Sequence, residues 1–189
     1  SEDTGEFTVS PAQVTFTTGN WNTTQTLTVT GVNDSIADGT QQVQLRSSIN
    51  TSSTADSTYD ALSNVSKPID IFDDDTAGFT IAQSGGSTSV TEAGSTDTFT
   101  VVLNTQPTGD VVFALTDNDT DNTEISYSPT ALTFTSGNWN SAQTVTVTGV
   151  DDSIDDDNVT SVITVAINTG STAYSVYDGL SSQTVNTIT

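Results

Sequence analysis

Residues 128–157 read SPTALTFTSGNWNSAQTVTVTGVDDSIDDD, and the fold follows from them. Leu132 and Phe134 alternate with Thr133 and Thr135, and after a Gly137-Asn138 turn Val145 and Val147 alternate with Thr144, Thr146 and Thr148. Successive side chains of a strand point to opposite faces, so each run puts apolar residues on one face and threonines on the other. The alternation then stops, and Asp151, Asp152, Asp155, Asp156 and Asp157 crowd into seven residues. The same text stands earlier, at residues 10–39, as SPAQVTFTTGNWNTTQTLTVTGVNDSIADG, at a constant offset of 118 residues. About two thirds of the aligned positions are identical, with no gap. Two copies of one module are therefore expected: residues 1–75, a partial repeat, and residues 76–189, a second repeat.

Working outward, the first copy offers short strands around Phe7 and Val9, around Val14 and Phe16, and from Thr26 to Val32. Side-chain parity shifts at Gly31-Val32, where a bulge would keep Val32 buried. Trp21, beside the Gly19-Asn20 turn, is expected to plug one end of the core. Val43, Leu45 and Ile49 start a further strand, and Ile69 and Ile71 close the copy. Tyr59 and Tyr177 each precede a closing strand, where a tyrosine commonly ties the corner of a sandwich. The second copy adds apolar alternation at Phe79 and Ile81, at Phe99, Val101 and Leu103, and at Val111, Phe113 and Leu115. By the offset, Ser1 aligns with Asp119 and Thr189 with Ile71, so the first copy lacks its opening strands and the second stops short of an Asp triplet. Short strands with turn signals at regular intervals and no 3.6-residue period indicate an all-β fold of tandem antiparallel β-sandwiches.

Composition narrows the chemistry. Lys and Arg total 2 against 24 Asp and Glu, a formal charge of −22, yet only 14% of residues are charged. Such a chain repels nucleic acid and anionic membranes and attracts cations. No run of about 18 apolar residues is present to span a membrane as a helix. Cys and His are absent, which excludes disulfides, thiolate zinc sites and Ser-His-Asp or Cys-His catalysis. A Thr-rich, Lys-poor, acidic chain fits an extracellular or cell-surface setting. The acids lie in loops while the strands stay nearly free of charge. Asp34 and Asp38 sit in the loop of the first copy, and Asp73, Asp74 and Asp75 follow an apolar strand. Calcium takes six to eight oxygen ligands from carboxylates and carbonyls on loops, so Ca2+ is the expected cation. The bland alternative is a solvated acidic surface. A D-x-D-x-D run at Asp117, Asp119 and Asp121 has Asn122 and Ser128 where an EF-hand loop needs Gly and Glu, and reads as a polar hairpin loop. N-x-S/T triplets at Asn22, Asn33, Asn50, Asn64, Asn118 and Asn158 follow from the composition.

Four motifs in series carry a family resemblance. They are Val90-x-Glu92, Leu132-x-Phe134-x-x-Gly137, Val145-x-Val147-x-x-Val150-Asp151-Asp152 and Ile71-Phe72-Asp73-Asp74-Asp75-x-Ala77-Gly78. Together they resemble the Calx-β domain, across nearly all of both copies. The resemblance implies an immunoglobulin-like sandwich with calcium held in loops at one end. Carried over by position, it implies metal ligands at Glu92, Glu124, Asp151, Asp152 and Asp156 in the second copy. In the first copy it implies Glu6, Asp34, Asp38, Asp73, Asp74 and Asp75. Asn33 is neutral where the second copy has Asp151.

The expected function is a calcium-binding structural repeat of an extracellular surface protein, adhesin, filament or surface layer. Its partners would be neighbouring repeats or subunits, joined head to tail if another subunit completes the first copy. The alternatives are a module that holds a sugar or peptide through calcium and an acidic spacer without specific metal binding. No paired carboxylates in an apolar cleft are evident, so the chain is not expected to be an enzyme.

Overall fold

Threonine and valine resist the helix and suit a pleated, half-buried surface, so alternating Thr/Val runs form strands wherever a neighbouring strand takes up their amides and carbonyls. In the computed structural model, which describes residues 5–118, 124–151 and 157–189, every regular element is a strand or a single 3₁₀ turn among the described residues. Two units separate: Ser1–Asp34 with Asp38–Asp74, and Ser35–Ala37 with Asp75–Thr189.

The first unit holds β1 (Phe7–Ser10), β2 (Thr28–Gly31), β3 (Gln41–Ser47) and β4 (Val65–Ile71) as two antiparallel pairs, β1 with β2 and β3 with β4. The second unit holds β5 (Phe79–Gln83), β6 (Thr88–Ser89), β7 (Thr96–Leu103), β8 (Val111–Asp117), β9 (Ile125–Ser128), β10 (Ala131–Phe134), β11 (Gln143–Gly149), β12 (Thr160–Ile167) and β13 (Gln183–Ile188). These form a four-stranded sheet in the order β5-β7-β11-β9 and a five-stranded sheet in the order β10-β8-β12-β13-β6. All pairs are antiparallel except β6 with β13.

The two sheets of the second unit face each other across one apolar core. Phe99, Val101, Val145 and Val147 come from one sheet, and Val111, Phe113, Phe134, Ile163, Val165 and Val185 from the other; none is exposed. The Phe113 ring bridges the layers. It meets Phe79 edge-on at 4.8 Å between centroids and its own-sheet neighbour Phe134 at 5.8 Å. Such edge-to-face pairs put the positive ring edge against the negative face of the partner. Tyr177, fully buried, donates to the carbonyl of Thr105 and shares a second bond with its hydroxyl, both at 2.8 Å. That tyrosine ties the corner as the sequence suggests. The all-β antiparallel sandwich is thus the fold of the second unit.

The repeat is visible in the ladders. In the second unit β11 pairs Thr146 with Ser128 and Gly149 with Ile125; in the first, β2 pairs Thr28 with Ser10 and Gly31 with Phe7. Likewise Val165 pairs with Gln183, and Ser47 with Val65. All four agree at the 118-residue offset.

The first unit departs from the expected pattern at several places. Residues 13–16 form no strand, β2 starts only at Thr28, and β3 ends at Ser47 before Ile49. Phe16 is 56% exposed, whereas its counterpart Phe134 is fully buried. Trp21 is 71% exposed and plugs nothing, while Trp139 packs against the core. Tyr59 is 54% exposed, because its unit has no counterpart of Thr105 among the described residues. The physical reason is common to all: these residues need strands and a facing sheet that only the second unit provides.

The expected bulge is also absent. The β9–β11 ladder runs unbroken through Gly149, and Val150 donates to the Glu124 carbonyl at 3.0 Å, as Val32 does to Glu6 at 2.9 Å. Val32 is 37% exposed. Glycine is needed for another reason, since a Cβ on Gly149 would lie 2.1 Å from the Thr91 carbonyl oxygen. A Cβ on Gly31 meets only the Ile71 methyl, at 3.8 Å.

Two comparisons check this reading. Gly149→Ala should destabilise the second unit by about 1–3 kcal/mol, since backbone atoms must move, while Gly31→Ala should stay within about 0.5 kcal/mol in denaturant titrations. Tyr177→Phe should remove about 1–2 kcal/mol from the second unit, and Tyr59→Phe should leave stability unchanged by the same assay.

Candidate metal centre

In the first unit β4 delivers the chain to Phe72, which is 80% exposed, and then to Asp73, Asp74 and Asp75. One carboxylate oxygen from each of the three lies within 4.8 Å of the others, the one such group of three acids among the described residues. Asp74 is exposed and the other two are half-buried. The Oδ2 atom of Asp73 accepts from the backbone amides of Asp38, at 3.0 Å, and Gly39, at 2.8 Å. Gly39 has φ of +75°, a conformation glycine adopts without penalty and one that aims both amides at the carboxylate. Gln41 then donates from Nε2 to the Asp38 carbonyl at 2.9 Å, closing the loop. The structure therefore brings the Asp38 backbone to Asp73, while the Asp38 carboxylate is not one of the three grouped acids.

Glu6 joins the other end of the same loop, where its carbonyl accepts from Val32. Asn33 caps the carbonyl of Asp34 at 3.2 Å, and the Asp34 side chain faces solvent. Between Asp34 and Asp38, residues Ser35–Ala37 belong to the second unit. There the Ser35 carbonyl accepts from Gln106 at 2.6 Å, the Ala37 carbonyl accepts from the Tyr174 hydroxyl at 2.8 Å, and Ala37 is buried. The sequence reading took this stretch for plain loop; a Ser-Ile-Ala insert among acids was the signal available.

In the second unit Glu92, Glu124 and Asp151 fall among the described residues, and their carboxylates do not form a group of metal-ligand spacing there. Glu124 is buried at 8% exposure and its carbonyl holds Val150, next to Asp151. The turn carrying Glu92 closes onto Gly149, whose amide donates to Ser95 at 3.1 Å and whose Cα lies against Thr91. Asp151 itself is exposed. Glu92 and Asp157 also line a single open cleft of ≈ 450 Å³, floored in part by Val90 and Ile188. Asp157 has φ of +60°, which is uncommon outside glycine and asparagine. Asp152 and Asp156, as well as Asp119 and Asp121, lie outside the described residues.

The donor chemistry suits a hard cation. Two oxygens on opposite sides of a calcium ion at about 2.4 Å each stand about 4.8 Å apart. The three oxygens of the triplet lie within that span. Carboxylates this close repel by between about 1 kcal/mol in water and about 4 kcal/mol at an effective dielectric of 20. A divalent ion converts that repulsion to attraction. It would be held by Asp73, Asp74 and Asp75, and the ion would supply charge neutralisation and a fixed geometry for the loop.

One acid escaped the sequence reading. Asp97 on β7 accepts from the Ser89 amide at 2.9 Å, the Thr98 amide at 2.7 Å and the Ser84 hydroxyl at 2.8 Å. The Ser89 amide above all, then the Thr98 amide and the Ser84 hydroxyl, hold its carboxyl below the ordinary carboxylate value of 3.8. It fastens β6 to β7 and is structural. Its signal is an Asp standing in the apolar register of Phe99, Val101 and Leu103, between Thr96 and Thr98.

Comparison with known proteins adds little. No family model matches the chain, and no curated protein does. Solved structures that share part of its shape include SSP-19, an MSP-domain protein-like family member of Caenorhabditis elegans, at TM-score 0.35 and 14% identity, over 54% of this chain and 90% of that one. The E. coli chaperone DraB aligns at TM-score 0.40 and 9% identity, over 60% of this chain and 55% of that one. Domains 4 and 5 of the S-layer protein SbsC align at TM-score 0.32 and 20% identity, over 64% of this chain and 57% of that one. The chain thus spans about half the length of the two latter structures. Likenesses this loose assign no function.

The Asp97 clamp has a pH signature. Its folded pKa is depressed, so its contribution is full above the unfolded value near 3.8 and is lost as pH falls through the lower folded value. Asp97→Asn keeps one acceptor but not the charge. It should weaken the second unit by about 1 kcal/mol at pH 7 and flatten its stability curve below pH 4, measured by urea titration across pH.

Proposed function

We propose that the chain is a calcium-binding structural repeat of an extracellular or cell-surface protein, in which the ion orders the acidic loops at the ends of sandwich modules. One observation carries this reading: the carboxylates of Asp73, Asp74 and Asp75 lie within 4.8 Å of one another and Asp73 is hydrogen-bonded to the loop that holds Asp38. Three consecutive carboxylates thereby supply oxygens to one small volume, and amides 34 and 35 positions away in sequence hold one of them in place. The Calx-β resemblance supports the same ligands.

The role is mechanical. A loop of like charges resists ordering, and an ion that binds only the ordered form opposes that tendency. In a series of such modules, ordered end loops limit bending. An affinity of about 10⁻⁴–10⁻³ M, usual for extracellular calcium modules, keeps the ion bound in calcium-rich surroundings and releases it elsewhere. The same acidity disfavours nucleic acid as a partner. No helix among the described residues is long and apolar enough to cross a membrane.

Thermal unfolding in 10 mM Ca2+ against EDTA tests the proposal. At a dissociation constant of about 1 mM, binding to the folded state alone adds roughly 1.4 kcal/mol and raises the midpoint by several degrees. Replacing Asp73, Asp74 and Asp75 by Asn should remove most of that rise. Equal midpoints in calcium and EDTA, or an equal rise with Mg2+, would refute specific calcium binding.

A further inference from the structure

We infer that the Asp178–Gly179 bond is a site of spontaneous backbone rearrangement to isoaspartate, and that Asp73 shields the chain's other Asp-Gly bond, Asp38–Gly39, from the same reaction. This inference does not depend on the calcium reading.

An acid followed by glycine is prone to rearrange because no Cβ hinders the glycine nitrogen. That nitrogen attacks Cγ of the aspartate. The new N–Cγ bond closes an imide ring, and the amide proton leaves with a carboxyl oxygen as water. Water then opens the ring at either carbonyl. Opening at the α-carbonyl carbon leaves the chain running through Cγ, an isoaspartate with an extra backbone methylene. Nothing is oxidised or reduced. The attack requires the peptide plane between the two residues to turn toward the side chain, so groups that pin this plane block the reaction.

Asp-Gly occurs at Asp38-Gly39 and Asp178-Gly179, and Asn-Gly nowhere. Exposure does not separate the two sites, since all four residues are exposed. Space does not separate them either, because a Cβ on either glycine would meet nothing within 4 Å. Hydrogen bonding does. At the first site both polar groups of the plane are held. The Gly39 amide donates to Asp73 Oδ2 at 2.8 Å, and the Asp38 carbonyl accepts from Gln41 at 2.9 Å. The Asp38 amide donates to the same Asp73 oxygen at 3.0 Å and fixes the preceding plane. An ionised acceptor makes these bonds strong ones.

At the second site Tyr177–Leu180 form a turn, closed by the Leu180 amide on the Tyr177 carbonyl at 3.1 Å. Asp178 has φ of −61° and ψ of −26°, the values of a type I turn. The plane between Asp178 and Gly179 makes no hydrogen bond to another described residue. Type I and type II turns differ by rotation of this plane, both keep the closing bond, and glycine in the third position suits either. The plane therefore turns easily. The first copy has Asp60-Ala61 at the matching place, where a Cβ hinders attack. Rearrangement at Asp178 lengthens the backbone beside Tyr177, whose hydroxyl ties the corner to Thr105.

The test is isoaspartate mapping by peptide mass spectrometry of the full chain, aged at neutral pH in EDTA, folded and in urea. In urea both bonds should rearrange at similar rates. Folding should slow residue 38 by about tenfold or more and residue 178 by less than about threefold. In the folded chain Asp73→Ala should raise isoaspartate at residue 38 by about tenfold. Asp74→Ala, which removes the same charge but neither bond, should leave it unchanged. Gly179→Ala should suppress the product at residue 178. Hydrogen exchange at Gln41–Ser47 shows whether the first unit stays folded in Asp73→Ala; where it does not, the comparison of folded chain with urea decides. The inference fails if residue 38 rearranges as fast as residue 178 in the folded chain. It also fails if Asp74→Ala accelerates residue 38 as much as Asp73→Ala does.

Discussion

The backbone amides and carbonyls of a strand must be taken up by a neighbour, and in the second unit two strands, β7 and β8, take part in most of the ladder pairs. β7 stands between β5 and β11, and β8 between β10 and β12, so each is an inner strand that carries two ladders. An unpaired buried backbone group is costly, which makes a strand without a partner revert to irregular, solvated chain. Phe99 on β7 and Phe113 on β8 are fully buried, and the Phe113 ring joins the layers through Phe79.

Charge is placed by the same logic. A carboxylate within a paired strand needs donors around it, and Asp97, the second residue of β7, has three that stabilise its charge. The other acids are pushed to the sheet ends. There the close approach of Gly149 to Thr91, and the bonds from Asp38 and Gly39 to Asp73, gather residues far apart in sequence. Geometry that serves the backbone thus concentrates negative charge at Asp73, Asp74 and Asp75.

Features set by short-range chemistry were legible in the sequence, and features set by distant partners were not. The turn at Gly137-Asn138 forms through Asn138 Oδ1 bonding the Thr135 amide, and Asn20 bonds Thr17 in the same way, although the flanking strands differ between the copies. Apolar alternation located β5, β7, β8, β11 and β12. It misplaced Val14 and Phe16, whose pattern is intact but whose partner strand is not beside them. Gly31 and Gly149 look alike in sequence, yet only the second touches another backbone. The acids of the triplet were legible as a cluster. The two amides that fix Asp73, and the capture of Ser35–Ala37 by the second unit, depend on chain segments that no local pattern announces.

Crystals grown in several millimolar calcium would test the metal directly through an anomalous difference map. A peak at about 2.3–2.6 Å from the carboxylates of Asp73, Asp74 and Asp75 is the expected result. Well-ordered carboxylates at those positions with no peak between them would contradict it.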